Sequence, residues 1–273
     1  MSHPVCTILN NGIEIPLLGL GCWDMWDKEC ETAVSAALEI GYRMIDTAAM
    51  YGNEAEVGNA IKSSGIRRDE LFIQTKVNNV DQGYHSTMRA YDQSLRKLKL
   101  DYVDAYLVHW PIKGKRKETW QALEKIYEEG RVRSIGVCNY LKPFLEELDE
   151  YSTVVPVINQ CEMYPFLYDL SFVQACQDRS ILLQAWSPLI RGKMHDHPTL
   201  EMISKKYHKT VAQILLRWAL DHGFSTIPKS SNTQRLKENF DLFDFSLSKE
   251  DLEALDRLYD GYRASGENPM FML

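Results

Sequence analysis

The chain has 273 residues, 45% of them hydrophobic, which is enough to bury a large core and an ordinary length for one α/β barrel. A formal charge of −7 argues against a nucleic-acid or anionic-membrane surface, which would want a basic patch. The N-terminal MSHPVCTILNNGIEIP has no basic stretch followed by an apolar core, and no run approaches a membrane-spanning length. Six cysteines are scattered without CxxC or CxxH spacing, so metal clusters and disulfide frameworks are not expected. Reduced thiols in a cytoplasm are the plain reading.

The first fourteen or so residues carry NNG between Thr7–Leu9 and Ile13–Ile15, which predicts a small β-hairpin. A strand follows at Leu17–Leu20, then a helix at Asp27–Ile40 with Cys30, Val34, Ala37 and Leu38 at helical spacing. Met44–Ile45 predicts a strand and Asn53–Ser63 a helix. Leu71–Thr75 and Tyr84–Leu98 repeat the pair, as do Val103–Val108 and Arg116–Glu129. Strands at Val132–Val137 and Val157–Gln160 precede a helix at Tyr168–Asp178. Leu182–Ala185, a helix at Val211–His222 and Ser225–Ile227 complete the pattern. Ser248–Tyr259 opens on the capping pattern Ser-x-x-Asp and reads as a last helix.

Each strand is short and rich in Val, Ile, Leu or Phe, as a strand buried on both faces should be. Eight β-then-α units imply a parallel sheet with right-handed crossovers, and that count in this length predicts a closed (β/α)8 TIM barrel. A doubly wound open sheet is the alternative, but no GxGxxG follows any strand. With no linker or low-complexity segment, one domain over residues 1–273 is expected.

In a parallel barrel, the active site gathers at the C-terminal ends of the strands. Reactive side chains fall there repeatedly: Asp46, Lys76, His109, Cys138-Asn139, Gln160-Cys161-Glu162, Trp186-Ser187, then Lys229 and Ser230. Taken singly, each has an ordinary structural reading as a cap, a snorkelling lysine or a satisfied core histidine. Their recurrence at the same point of successive units does not. A tyrosine is a weak proton donor at neutral pH, a nearby ammonium favours its phenolate, and a carboxylate can hold that ammonium. Asp46, Lys76 and Tyr51 supply that chain, and His109 can orient a carbonyl. With no evident metal, a hydride cofactor is the simplest electron source.

GYRMIDTAAMYGNEAEVG, LFIQTKV, YVDAYLVHWP, GRVRSIGVCNY, VINQCEMYP, LQAWSPL and IPKSSNTQRLKENF, in that order over essentially the whole chain, resemble the signatures of the aldo-keto reductases. The short loop after His109 and the AWSPL form resemble the small microbial members, prostaglandin F synthase-like and diketogluconate reductase-like. The resemblance implies a barrel that binds NADPH or NADP+ in an extended pose and reduces aldehydes and ketones. By the same resemblance, Tyr51 would be the general acid, tuned by Lys76 and Asp46, with His109 positioning the carbonyl. Asn139 and Gln160 would hold the nicotinamide carboxamide and Trp186 would stack on the ring. Ser187 and Leu189 would line the pyrophosphate path, and Lys229, Ser230, Arg235, Glu238 and Asn239 would receive the adenosine end. Arg235, at a helix start, with Lys229 and Ser230, suits the 2′-phosphate that distinguishes NADPH from NADH.

Three positions depart from the family pattern: Cys138 for a common serine, Asn78 for a frequent tryptophan and Ile190 for a frequent glycine. Trp23, Trp26 and Trp110 are candidates for an aromatic substrate pocket with Asn78, set against ordinary rim packing. HDH at 195–197 reads as a solvated loop and not a metal site. Two other functions compete: a cofactor-binding module that senses redox state or docks on a partner, and a metal-dependent barrel hydrolase. The complete quartet of Asp46, Tyr51, Lys76 and His109 favours the reductase. A small carbonyl compound is the expected partner, acting on a monomer.

Overall fold

The computed structural model describes residues 5–272. An antiparallel hairpin of β1 (Cys6–Ile8) and β2 (Glu14–Pro16) comes first. Then follow β3 (Leu20–Gly21), α1 (Asp27–Ile40), β4 (Met44–Asp46), α2 (Glu54–Ser64), β5 (Phe72–Val77) and α3 (Tyr84–Leu98). The middle of the chain gives β6 (Val103–Val108), α4 (Arg116–Glu128), β7 (Val132–Cys138), α5 (Lys142–Asp149), β8 (Ile158–Glu162) and α6 (Leu170–Gln177). It ends with β9 (Leu182–Trp186), α7 (Pro198–Tyr207), α8 (Val211–Asp221), β10 (Ser225–Thr226), α9 (Thr233–Phe240) and α10 (Lys249–Asp256).

Strands β3 to β10 pair in parallel in strictly sequential order. The seam closes because the Thr226 N–H donates to Leu17 O at 2.8 Å and the Gly19 N–H to Thr226 O at 2.9 Å. Gly21 is required at that seam, since a Cβ there would lie 2.7 Å from Ile227 O. The result is the expected (β/α)8 barrel with its N-terminal hairpin.

Two apolar layers hold it. The outer layer packs helix faces on the sheet, as in α1, where Cys30, Ala33, Val34, Ala37 and Leu38 are buried. The inner layer fills the barrel with Met44, Phe72, Ala105, Leu107, Ile158 and Ile227, and hairpin residues Leu9 and Ile15 join it. Each fully buried aliphatic side chain contributes about 1.5–3 kcal/mol. The hairpin lies at the N-terminal ends of the strands, where the Asn10 amide donates to Pro156 O at 3.0 Å and the Asn11 amide to Arg133 O at 3.1 Å. That plugs one mouth and leaves the C-terminal mouth for chemistry.

Several boundaries differ from the apolar runs. β4, β5, β7, β8 and β9 run past the expected ends at Ile45, Thr75, Val137, Gln160 and Ala185 to take in Asp46, Lys76-Val77, Cys138, Cys161-Glu162 and Trp186, because the backbone ladder continues into the residues that line the site. Two helices were not expected. α5 buries only Leu145 and Leu148, and α7 is capped by the His197 ring, which accepts from the Thr199 N–H at 3.3 Å. The HDH segment therefore serves in part as a helix start.

Candidate active site

Successive strand ends surround a cavity of about 400 Å³ at the C-terminal mouth, lined by Asp46, Tyr51, His109, Asn139, Gln160 and Trp186 among others. Asp46 ends β4 and Lys76 lies in the neighbouring β5, so parallel pairing carries the two side by side. Lys76 is fully buried, and its Nζ sits 2.7 and 2.8 Å from the two carboxylate oxygens of Asp46. It also donates to Thr47 O at 2.9 Å and lies 3.3 Å from the Tyr51 hydroxyl. An ammonium has three protons, and here they face three acceptor groups: the Asp46 carboxylate, Thr47 O and the Tyr51 hydroxyl.

Tyr51 is delivered by a short 3-10 turn, Ala49–Tyr51, closed by Gly52 at φ 70°. Asn53 pins this turn, because its amide donates to Cys22 O and Met25 O at 2.8 and 2.9 Å and accepts from the Thr47 hydroxyl at 2.6 Å. The His109 ring meets the Tyr51 ring edge to face at 5.5 Å between centroids.

Burial pushes the Tyr51 phenol up, outweighing the downward pull of Lys76 that the sequence led us to expect. Tyr51 therefore rests as a protonated phenol. Burial alone would pull Lys76 down, but Asp46 and Tyr51 push it up further, so it stays an ammonium. Burial, reinforced by Lys76, holds His109 well below its usual range, which makes it a neutral ring. Its Nδ1 is buried without a partner among the described residues.

A layer of amides supports Asp46 from below. Gln74 and Gln160 donate to Asp46 Oδ1 at 2.6 and 2.9 Å, and both donate to Gln184 Oε1, at 2.6 and 2.8 Å. Hydrogen bonds to a charged acceptor are the stronger kind, so this layer fixes the carboxylate that fixes Lys76. Gln74 and Gln184 were not among the sequence candidates, because a single polar residue inside a strand carries no positional signal.

Asn139, at φ 63°, donates to His109 O at 3.1 Å and accepts from the Trp186 indole N–H at 2.9 Å. Trp186 in turn meets Trp110 edge to face at 6.3 Å. Trp23, Trp110, Ser187 and Lys229 also line the cavity. Asn78 does not; its neighbour Asn79 does, together with Met50, Arg191, Ser265, Glu267 and Met272. Leu189, Ser230, Arg235, Glu238 and Asn239 lie outside this cavity wall. Arg235 sits in the first turn of α9, capped by the Asn232 side chain, and is exposed. Arg191, Lys229 and Arg235 have no ion-pair partner among the described residues. Instead, the Arg191 guanidinium lies 4.6 Å over the Trp23 ring.

Residues 17–260 match the Aldo/keto reductase family. The chain belongs to that family. It is 48% identical over 262 residues to a glyoxal reductase of Bacillus subtilis, covering 96% of this chain and 95% of the relative. A solved aldo/keto reductase of Brucella melitensis superposes with a TM-score of 0.90 at 48% identity, covering 93% of this chain and 99% of that one. An aldo-keto reductase of Bombyx mori, solved in complex with NADP, superposes with a TM-score of 0.91 at 37% identity, covering 97% and 95%.

The three departures from the pattern each have a physical setting in this aldo/keto reductase. Cys138 is buried in the interior cluster and burial pushes its thiol up, so it stays a neutral, weak donor. Asn78 leaves the cavity wall to Asn79. Ile190, fully buried, adopts φ 55°, a left-handed conformation that glycine would take without strain. Ser187 and Arg191 in the same loop are also left-handed, at φ 49° and 53°.

Proposed function

We propose that this oxidoreductase reduces aldehydes and ketones to alcohols with NADPH, using Tyr51 as general acid. The observation that supports this most is the buried Asp46–Lys76–Tyr51 chain opening onto the cavity beside a neutral His109. NADPH, when bound, supplies a hydride to the carbonyl carbon. The residues present suit such a dinucleotide: Trp186 is held by Asn139 as a flat wall, and Arg191, Lys229 and Arg235 are cations without ion-pair partners among the described residues.

Neutral His109 has one ring N–H to give to the carbonyl oxygen and orients it toward the phenol. Tyr51 then donates its proton to that oxygen. The phenolate left behind lies 3.3 Å from the Lys76 ammonium, which lowers the cost of giving up the proton. Asp46 and its amide layer keep Lys76 charged and in place. Arg235 at the start of α9, with Lys229 and Ser230, is the proposed grip on the 2′-phosphate, so NADPH is preferred over NADH.

Six cysteines scattered without CxxC spacing suit a reducing cytoplasm, and no helix among the described residues is long and apolar enough to cross a membrane. The similarity to a glyoxal reductase makes glyoxal the first substrate to assay. Loss of NADPH absorbance over a panel of glyoxal, aryl and alkyl aldehydes, diketones and sugar-derived ketones tests the reading. Turnover with NADPH is expected. Tight NADPH binding with no turnover of any carbonyl would replace the reductase reading with a cofactor-sensing one.

A further inference from the structure

Glu162 is a buried carboxylate that the proposed proton relay does not use. It ends β8, two residues beyond Gln160 and so on the same face of the strand. Only 4% of the residue is exposed. A buried carboxylate needs donors, and Glu162 takes all its close ones from two places. The Tyr164 hydroxyl donates to Oε1 at 2.9 Å. Ser265 supplies the rest, its backbone N–H to Oε1 at 2.9 Å and its hydroxyl to Oε2 at 2.6 Å. The Arg263 guanidinium stands 3.9 Å from Oε2.

Tyr164 extends the same network. Its hydroxyl oxygen accepts from the Ala264 N–H at 2.6 Å and lies 3.1 Å from Tyr262 O. Carboxylate and phenol together therefore fasten residues 262–265 across the end of β8. The segment they fasten is the one that reaches the cavity: Ser265, Glu267 and Met272 form part of its wall. Lys193 adds a weaker tether from the surface, donating to Ala264 O at 3.2 Å.

We infer that Glu162 is a positioning residue that, through Tyr164 and Ser265, clamps the C-terminal segment against the barrel and so sets the substrate wall of the site. The clamp fixes which carbonyl compounds fit and leaves the proton relay alone. It rests on the reductase reading only for its effect on substrate; its effect on the chain can be measured separately. Glu162→Gln keeps the shape and one acceptor oxygen, but it turns an amide N–H2 toward donors that expect a carboxylate oxygen. Tyr164→Phe removes the second half of the clamp without touching the cavity wall.

Two readouts test it on the full chain with NADPH bound. The first is limited trypsin cleavage after Arg263, followed by mass of the released peptide beginning at Ala264. That bond is protected in the native protein, because Ala264 is buried and its N–H is bonded to Tyr164. Each variant should be cut about tenfold faster, and the double variant little faster than either single one, since the residues act in one network. The second is a KM and kcat comparison on a bulky and a small aldehyde. KM for the bulky substrate should rise about tenfold, the order expected for lost hydrogen bonds to a charged group, with kcat for the small one and NADPH affinity within about twofold. Unchanged cleavage in both variants overturns the clamp. So does a fall in kcat shared by both substrates with KM constant, which would place Glu162 in the chemistry. If no carbonyl compound is turned over by the unmodified protein, the reductase reading fails, and the cleavage rates still decide the clamp.

Discussion

Replacing Lys76 with methionine is the most informative perturbation of the buried core of the site. The ammonium has no exposed surface and satisfies three acceptors: the Asp46 carboxylate at 2.7 Å, Thr47 O at 2.9 Å and the Tyr51 hydroxyl at 3.3 Å. Methionine fills nearly the same volume, so packing changes little and the loss is electrostatic. Removing one member of a buried ion pair costs about 3–5 kcal/mol, because the other charge stays behind unpaired. Gln74 and Gln160 still donate to Asp46, which places the expectation toward the lower end of that range, about 3 kcal/mol. For a chain of this size, that is a fall in melting temperature of about 6–12 °C.

The pH dependence has a definite sign. Lys76 is pushed up in the folded protein, so its stabilisation is complete below the ordinary lysine pKa of about 10.4 and fades only as pH rises beyond it. The difference between the two proteins is therefore constant through neutral pH. Melting by circular dichroism at pH 7, with carbonyl reduction followed in parallel, checks both parts. Reduction should fall by about 10²–10⁴-fold, because the phenol loses the group that stabilises its phenolate. A variant that melts within 2 °C of the parent and still reduces carbonyls would refute the reasoning.

Arg235→Ala should weaken NADPH binding by about 1.5–3 kcal/mol and leave NADH nearly unchanged, by fluorescence titration; equal weakening of both would move the 2′-phosphate elsewhere. His109 is held neutral by burial and Lys76, so the acid side of the kcat/KM profile should show no histidine step near pH 6.5. The same depression means that folding stability due to this ring is lost as pH falls from about 6.5 toward its lowered folded value, since only the unfolded chain takes up the proton there. His109→Gln should flatten that slope in denaturation measured from pH 7 down to 5.

The barrel was legible because its strands are short runs of branched residues recurring between helical periodicities, as at Val103–Val108, whose predicted and observed limits coincide. Strand ends were not, since Asp46 and Glu162 are polar yet still pair in the ladder. α5 and α7 escaped because each buries so few apolar residues that periodicity has little to show. In the site, Asp46, Tyr51, Lys76 and His109 fall at the strand ends and the loop where local sequence points. The C-terminal wall does not. Ser265 meets Glu162 across 103 positions, and neither segment carries a pattern that announces the other. The amide layer of Gln74, Gln160 and Gln184 is hidden for the same reason: three glutamines from three strands become a network only when the sheet closes.

The central claim is that Tyr51 gives the proton, and Tyr51→Phe tests it with a single oxygen removed. The ring, its edge contact with His109 at 5.5 Å and the Lys76 ammonium 4.9 Å over its face all stay in place. The measurement is single-turnover reduction of glyoxal by the NADPH-loaded protein, alongside NADPH affinity by fluorescence. The account predicts unchanged affinity and a reduction rate lower by about 10²–10⁴-fold, the typical value of a general acid. A variant that binds NADPH normally and reduces at the parent rate would show that the proton comes from another group.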